Sequence, residues 1–122
     1  MRASLRTKLA ALTIGVLAVP AALVVTAAGP AAASAACGKS GPLNDGTEVT
    51  MTKGVSANMR SGSSTSCGVK GWADNQDTLM YYCYTSGSGG TWTWLWNIDD
   101  GTVGWVKDSL LPGNGSDYYC GF

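Results

Sequence analysis

The sequence contains no histidine, only one phenylalanine, and 13% charged residues. Without an imidazole, the commonest general base, proton relay and metal ligand are all missing. No C-x-x-C pair occurs among the four cysteines, Cys37, Cys67, Cys83 and Cys120, so neither usual zinc-ligand pattern is present and no metal or other cofactor is expected. Basic residues are sparse beyond the first ten positions: Lys39, Lys53, Arg60, Lys70 and Lys107 stand against eight Asp and Glu. With no basic block to neutralise phosphates, nucleic acid is excluded as a partner and anionic membrane surfaces are disfavoured. Isoleucine and leucine are scarce after residue 35, so the core must draw on other side chains.

What is present begins with a leader. Arg2, Arg6 and Lys8 form a basic start, Leu9 to Val25 is apolar with one interruption at Pro20, and Ala33-Ser34-Ala35 fits an A-x-A cleavage site before Ala36. Residues 1–35 are therefore read as a signal peptide and the protein as secreted and extracellular, with no membrane attachment after cleavage. The apolar run has the length of a short membrane span, about 17 residues or more, but the alanine-rich exit favours removal. Ser34-Ala35-Ala36-Cys37 loosely resembles a lipoprotein box. It lacks the aliphatic residue three before the cysteine, and lipidating Cys37 would leave an odd number of thiols.

The remaining chain, residues 36–122, is one small, mildly acidic domain, expected to be a monomer. All four cysteines lie in it, which suits an oxidising compartment. Three pairings are possible. Cys67 with Cys83 and Cys37 with Cys120 is the favoured one, adding roughly 3 kcal/mol for the shorter loop and between about 4 and 5 for the longer.

Along the chain, 36–46 is a Gly/Pro/Asn-rich N-terminal arm pinned by Cys37. Thr47 to Lys53 alternates in β fashion with Val49 and Met51 on one face, and Val55, Ala57 and Met59 alternate again up to Arg60. Ser61 to Ser66 reads as a surface loop. Thr78 to Tyr84 is a further strand, with Leu79, Tyr81 and Cys83 on one face and Met80, Tyr82 and Tyr84 on the other. Trp92 to Asn97, the turn Ile98-Asp99-Asp100-Gly101 and Thr102 to Val106 make a hairpin. Four of the five tryptophans are in it, with Trp92, Trp94 and Trp96 projecting from one face. The tail, 112–122, is loose from Pro112 to Ser116 and docks through Cys120.

Ala57-Asn58-Met59-Arg60-Ser61-Gly62-Ser63-Ser64-Thr65-Ser66 resembles the L-N-V-R-S-G-P-S-T-S signature of bacterial SH3 (SH3b) domains. Gly90-Thr91-Trp92 with Leu95 is similar to the family's G-x-W-x-x-V strand. Gly104-Trp105-Val106 with Leu110-Leu111 resembles its closing G-W-V-x-x-x-x-L. The resemblance spans 47–111. It implies an all-β fold: a small SH3-like barrel of about five short strands, here disulfide-stapled and following a cleaved signal peptide. The pair Cys67 and Cys83 and the alanine-rich leader look like those of small secreted SH3-like proteins of actinobacteria. Ser63 replaces the family's usual proline and Met59 its valine, and Asp74-Asn75-Gln76-Asp77 is more acidic than the usual turn.

Chemistry is thinly supplied. The serines of 61–66 have no base nearby in sequence. Asp99 and Asp100 sit side by side in a tight turn, unlike a glycosidase pair held about 5 to 10 Å apart. Asp74, Asn75 and Asp77, or Asn97, Asp99 and Asp100, supply oxygen ligands for calcium but follow no EF-hand spacing. Asn114-Gly115-Ser116 fits a glycosylation sequon by coincidence of a Gly/Ser/Asn tail. The excess is aromatic: five Trp, five Tyr and one Phe. Trp72, Tyr81 and Trp105 are assigned to the core or its rim. Because Leu95 matches the family's inward position, Trp94 and Trp96 are expected to face outward, extended by Tyr82 and Tyr84, as a surface for sugars or extended peptides. The reading is a secreted non-enzymatic binding module for cell-wall glycan or peptide, or for an extracellular protein. The alternative is a secreted disulfide-stapled inhibitor or antimicrobial effector.

Overall fold

A computed structural model describes residues 34–122; residues 1–33, most of the expected 1–35 signal peptide, lie outside the described residues. The fold is all-β. Six strands, β1 (Glu48–Thr50), β2 (Ala57–Arg60), β3 (Val69–Ala73), β4 (Thr78–Gly87), β5 (Gly90–Asn97) and β6 (Thr102–Lys107), form one antiparallel sheet in the order β1-β4-β5-β6-β2-β3. Two short 3-10 turns follow, Asp108–Leu110 and Pro112–Asn114. The sheet bends until β3 lies against β6, and Gly71 on β3 leaves just enough room for the Thr102 side chain. The expected hairpin pairs Trp92 with Lys107 through Asn97 with Thr102, and Gly101 takes the positive φ of its turn. β3 was not evident beforehand because Val-Lys-Gly-Trp-Ala carries no apolar alternation.

Both faces of β5 are buried, in separate cores. Inside the bend lie Met51, Ala57, Met59, Ala73, Leu79, Tyr81, Leu95, Val106 and Leu111, which matches the alternation of β1, β2 and the first half of β4. On the opposite face lie Ala35, Cys83, Trp92, Trp94, Trp105 and Cys120, flanked by Tyr82, Val103 and Phe122. Trp94 and Trp105 meet at 5.3 Å in a tilted pair, and Phe122 adds an edge-on contact to Trp105 at 6.2 Å. Such pairs contribute roughly 0.5–1.5 kcal/mol beyond the area they bury.

A bulge in β4 separates residues expected on one face. Tyr81 opposes Leu95 and Cys83 opposes Trp94, so two steps on β4 match one on β5. The extra residue reverses the alternation. Leu79 and Tyr81 stay inside, while Cys83 turns to the tryptophan face.

That reversal corrects the disulfide pairing. The bonds are Cys37–Cys67 and Cys83–Cys120, not Cys67 with Cys83 and Cys37 with Cys120. Cys83 faces the tail, which runs beside the edge of β4: Tyr118 O accepts from Tyr84 N–H at 2.8 Å and Tyr84 O from Cys120 N–H at 2.9 Å. Cys67 ends a loop held to the arm, where Gly38 N–H donates to Ser61 O at 2.7 Å. With sequence separations of 30 and 37, each bond stabilises the fold by roughly 3.5 to 4 kcal/mol in the chain-entropy account. The sulfur that a lipid on Cys37 would need is already bonded.

Arm and tail are integral parts of the fold. Trp105 Nε1–H donates to Lys39 O at 2.6 Å, and Asn44, Asp45 and Gly46 N–H groups donate to Tyr82 and Tyr81 carbonyls. β1, this arm segment and the tail successively cover the β4 edge, which removes an open strand edge. The tail segment expected to be loose is tied down: Gly115 and Ser116 are buried.

Candidate functional site

Of the four residues expected to form one aromatic surface, Trp94, Trp96 and Tyr82 lie on the tryptophan side and only Tyr84 lies on the other face. Trp94 is only 6% exposed, packed on Trp105, with Gly41 of the arm pressed on its Cβ and Lys70 Nζ 5.3 Å from its ring centroid. The outward-facing Trp94 is thus corrected: arm and tail cover that side. Trp96 is half-buried on the same face, between Met80 on β4 and Val103 on β6. Tyr82 packs against the tryptophan core. Tyr84, beyond the bulge, lies with Thr93 on the other face and stacks at 5.6 Å on the half-exposed Tyr119. Trp72, assigned to core or rim, is 53% exposed, whereas Tyr81 and Trp105 are buried.

The other sequence candidates are structural. In the serine loop, Ser63 is buried; its Oγ accepts from Ala35 N–H and donates to Ser86 O, both at 2.9 Å, so this is not simply a surface loop. The two oxygen-rich runs meet at Asn97, whose buried Nδ2 donates to Trp72 O at 2.9 Å, Asp77 Oδ2 at 2.8 Å and Asp100 Oδ2 at 3.3 Å. Asp99 accepts from Thr78 N–H. Among the described residues, no group of three or more Asp, Glu, Cys or His could hold a metal ion.

The concave site is built instead from the polar side chains of β5 and from the tail. Thr91 and Thr93 alternate with the tryptophans on the face that Leu95 shares. Thr93 lies between Tyr84 on β4 and Val106 on β6, and Thr91 between Ser86 and the turn after β6. Asp108, in the turn after β6, is buried and accepts from Thr91 Oγ1–H at 2.7 Å and Thr93 Oγ1–H at 2.6 Å. Ser116 N–H donates to Thr93 Oγ1 at 2.9 Å, and Ser116 Oγ–H donates to Asp45 Oδ2 at 2.6 Å. Gly115, at φ 80°, lies so close to Asp108 and Thr93 that any Cβ would collide with both. Tyr81 O–H donates to Pro112 O at 2.7 Å, fastening the tail from below.

Burial pushes the Asp108 carboxyl above its ordinary range; the two threonine hydroxyls pull it back, and the charge of Asp117 adds to the rise. The Tyr81 phenol is pushed up as well, mainly by burial and further by Asp108 and Asp45.

Three cavities open along this tail. One of about 220 Å³ is lined by Tyr84, Thr91, Asp108, Asn114, Ser116 and Asp117. A second, of about 230 Å³, shares Asp117 with it and continues past Tyr118, Asp45 and Thr47. A third, of about 220 Å³, shares Thr91, Asp108 and Asn114 and continues to Gly89, Ser109 and Lys107. The first and third share three lining residues and adjoin as one polar groove, whereas the second touches the first only at Asp117 and is lined largely by Val49, Tyr81, Pro112 and Tyr118. A smaller hollow of about 150 Å³, between Asn58, Arg60, Trp92 and Leu110, is closed in by Arg60, whose Nη1 donates to Thr65 O and Cys67 O.

Of the predicted site residues, Tyr84 alone lines the groove. Asp108, Asp117, Asn114, Thr91 and Ser116 were missed. A signal existed in the density of Asn, Ser and Asp between 112 and 117, part of which reads as a chance sequon. No family model, curated protein or solved structure matches the chain.

Proposed function

We propose that the chain is a secreted, non-enzymatic binding module of the SH3-like kind, and that its ligand is a cell-wall glycan strand lying in the groove past Tyr84. The observation that carries this reading is the lining of the cavity past Tyr84: carboxylate, amide and hydroxyl groups of Asp117, Asn114, Ser116 and Thr91 beside a tyrosine ring. Sugars present many hydroxyls to such groups and an apolar ring face to an aromatic one. The carboxylates of Asp45, Asp108 and Asp117 favour neutral or amine-bearing sugars and disfavour phosphate-rich polymers. The SH3-like assignment is supported by the three motifs, which fall on β2 and the loop after it, on β5, and on β6, adjacent in one bent sheet. Export is supported by two disulfides; no helix among the described residues is long and apolar enough to cross a membrane. A non-catalytic role is supported by the engagement of both Asp108 oxygens by threonine hydroxyls and by the lack of histidine.

The test is co-sedimentation of the oxidised protein with purified cell-wall sacculi. Wild type is expected to pellet, and Tyr84→Ala with Asp117→Ala to bind about tenfold or more weakly, a loss of about 1.4 kcal/mol typical of a central contact. Wild type left in the supernatant, or variants that pellet equally well, would remove the groove as a glycan site. Release of new reducing ends would make the protein a hydrolase.

A further inference from the structure

We infer that the leader is cut between Ala33 and Ser34, two residues before the bond that the first A-x-A reading indicates, so that Ala35 stays in the mature protein as a buried anchor. The inference rests on the secretion reading. In the sequence two overlapping patterns compete: Ala31-Ala32-Ala33 places the scissile bond before Ser34, and Ala33-Ser34-Ala35 places it before Ala36. Both satisfy the small-residue rule. The fold distinguishes them.

Ala35 is 3% exposed and its methyl group belongs to the core of Trp92, Trp94, Trp105 and the Cys83–Cys120 bond. Its N–H donates to Ser63 Oγ at 2.9 Å and its carbonyl accepts from Ser63 N–H at 3.0 Å. Ser63 is 1% exposed, so water cannot replace these partners. The seat is shaped for the segment: a Cβ on Gly62 would stand 2.8 Å from both Ala35 O and the Ala36 carbonyl carbon. Two residues on, Cys37 bonds to Cys67 and closes the same loop over it.

Hydrolysis of the Ala35–Ala36 amide would take away the methyl, the donor and the acceptor together. It would leave Ser63 N–H and Oγ without these partners in a buried place and set a new ammonium at Ala36, beside them. Hydrolysis of the Ala33–Ser34 amide has none of these consequences. A leader peptidase adds water across that bond, Ala33 keeps the carboxylate, and Ser34 leaves with the amine. The new ammonium lies on Ser34, which is exposed, and Ala35 keeps its amide N–H for Ser63.

The experiment is intact-mass measurement of the full chain expressed in a host with general secretory export and recovered from outside the cell without reduction. The expected mass is that of Ser34 to Phe122 less four hydrogens for two disulfides. A chain starting at Ala36, or at any other residue within the domain, overturns the inference while leaving secretion intact. A chain found only inside the cell and still starting at Met1 overturns both.

Discussion

The two faces of β5 use neighbouring residues for opposite purposes. On one, Trp92 and Trp94 pack with Trp105, Phe122 and a disulfide in a dry cluster that the arm and tail seal. On the other, beyond Leu95, Thr93 and Thr91 hold a buried carboxylate at the head of an open polar groove. The most conspicuous residues serve as scaffold. In a domain with few aliphatic side chains, indoles supply most of the large apolar surface that buries this second face, with Tyr82, Val103 and Phe122 at its margin, and the groove is left to smaller polar groups.

The comparison breaks first at the tryptophan side. Trp105→Ala removes the centre of the dry cluster and is expected to cost about 3–5 kcal/mol, read from denaturant unfolding; a loss below about 1 kcal/mol would mean the cluster does not hold the fold. Replacing Cys83 and Cys120 together by serine should cost a comparable amount, roughly 3.5 to 4 kcal/mol, and release the tail. Glycan binding should then be lost under conditions where circular dichroism still reports a folded sheet. Binding retained at full strength would show that the tail is not a wall of the site.

On the groove side the effects are smaller and depend on pH. The folded-state carboxyl of Asp108 is raised, so the folded protein holds its proton more tightly than the unfolded chain does. Its contribution to stability is then greatest below the ordinary carboxylate pKa, about 3.9, and declines as pH rises through the raised folded value. Asp108→Asn should therefore become more stable relative to wild type as pH rises across that window. Parallel pH profiles of unfolding free energy for the two proteins would contradict the assignment. The smallest effect is expected at Trp96, half-buried between Met80 and Val103. Trp96→Ala should lower Tm by only a few degrees, matching about 1 kcal/mol, and leave sacculus binding unchanged. Lost binding in that folded variant would return the site to the indole face.

Much of the fold was legible in the chain. Period-two alternation located β1, β2, β4 and β5, and the Asp-Gly pair with the short apolar run after it located the turn and β6. β3 escaped because its side chains do not alternate and it gains its place only by pairing with β2. The site was far less legible: Tyr84 was named, but for a surface with Trp94 that does not exist. Asp108 carries no motif, and its importance comes from two threonines more than a dozen residues earlier.

By itself the sequence determined an all-β, cysteine-paired domain without imidazole chemistry, because composition and local alternation act through the nearest neighbours of each residue. Tertiary structure alone decided the rest. One bulged residue in β4 reversed the side on which Cys83 emerges, and with it the disulfide pairing and the course of the tail. Which of two sticky faces stays dry, and which acquires a groove, depends on segments far apart in the chain closing over one strand. No local pattern encodes that.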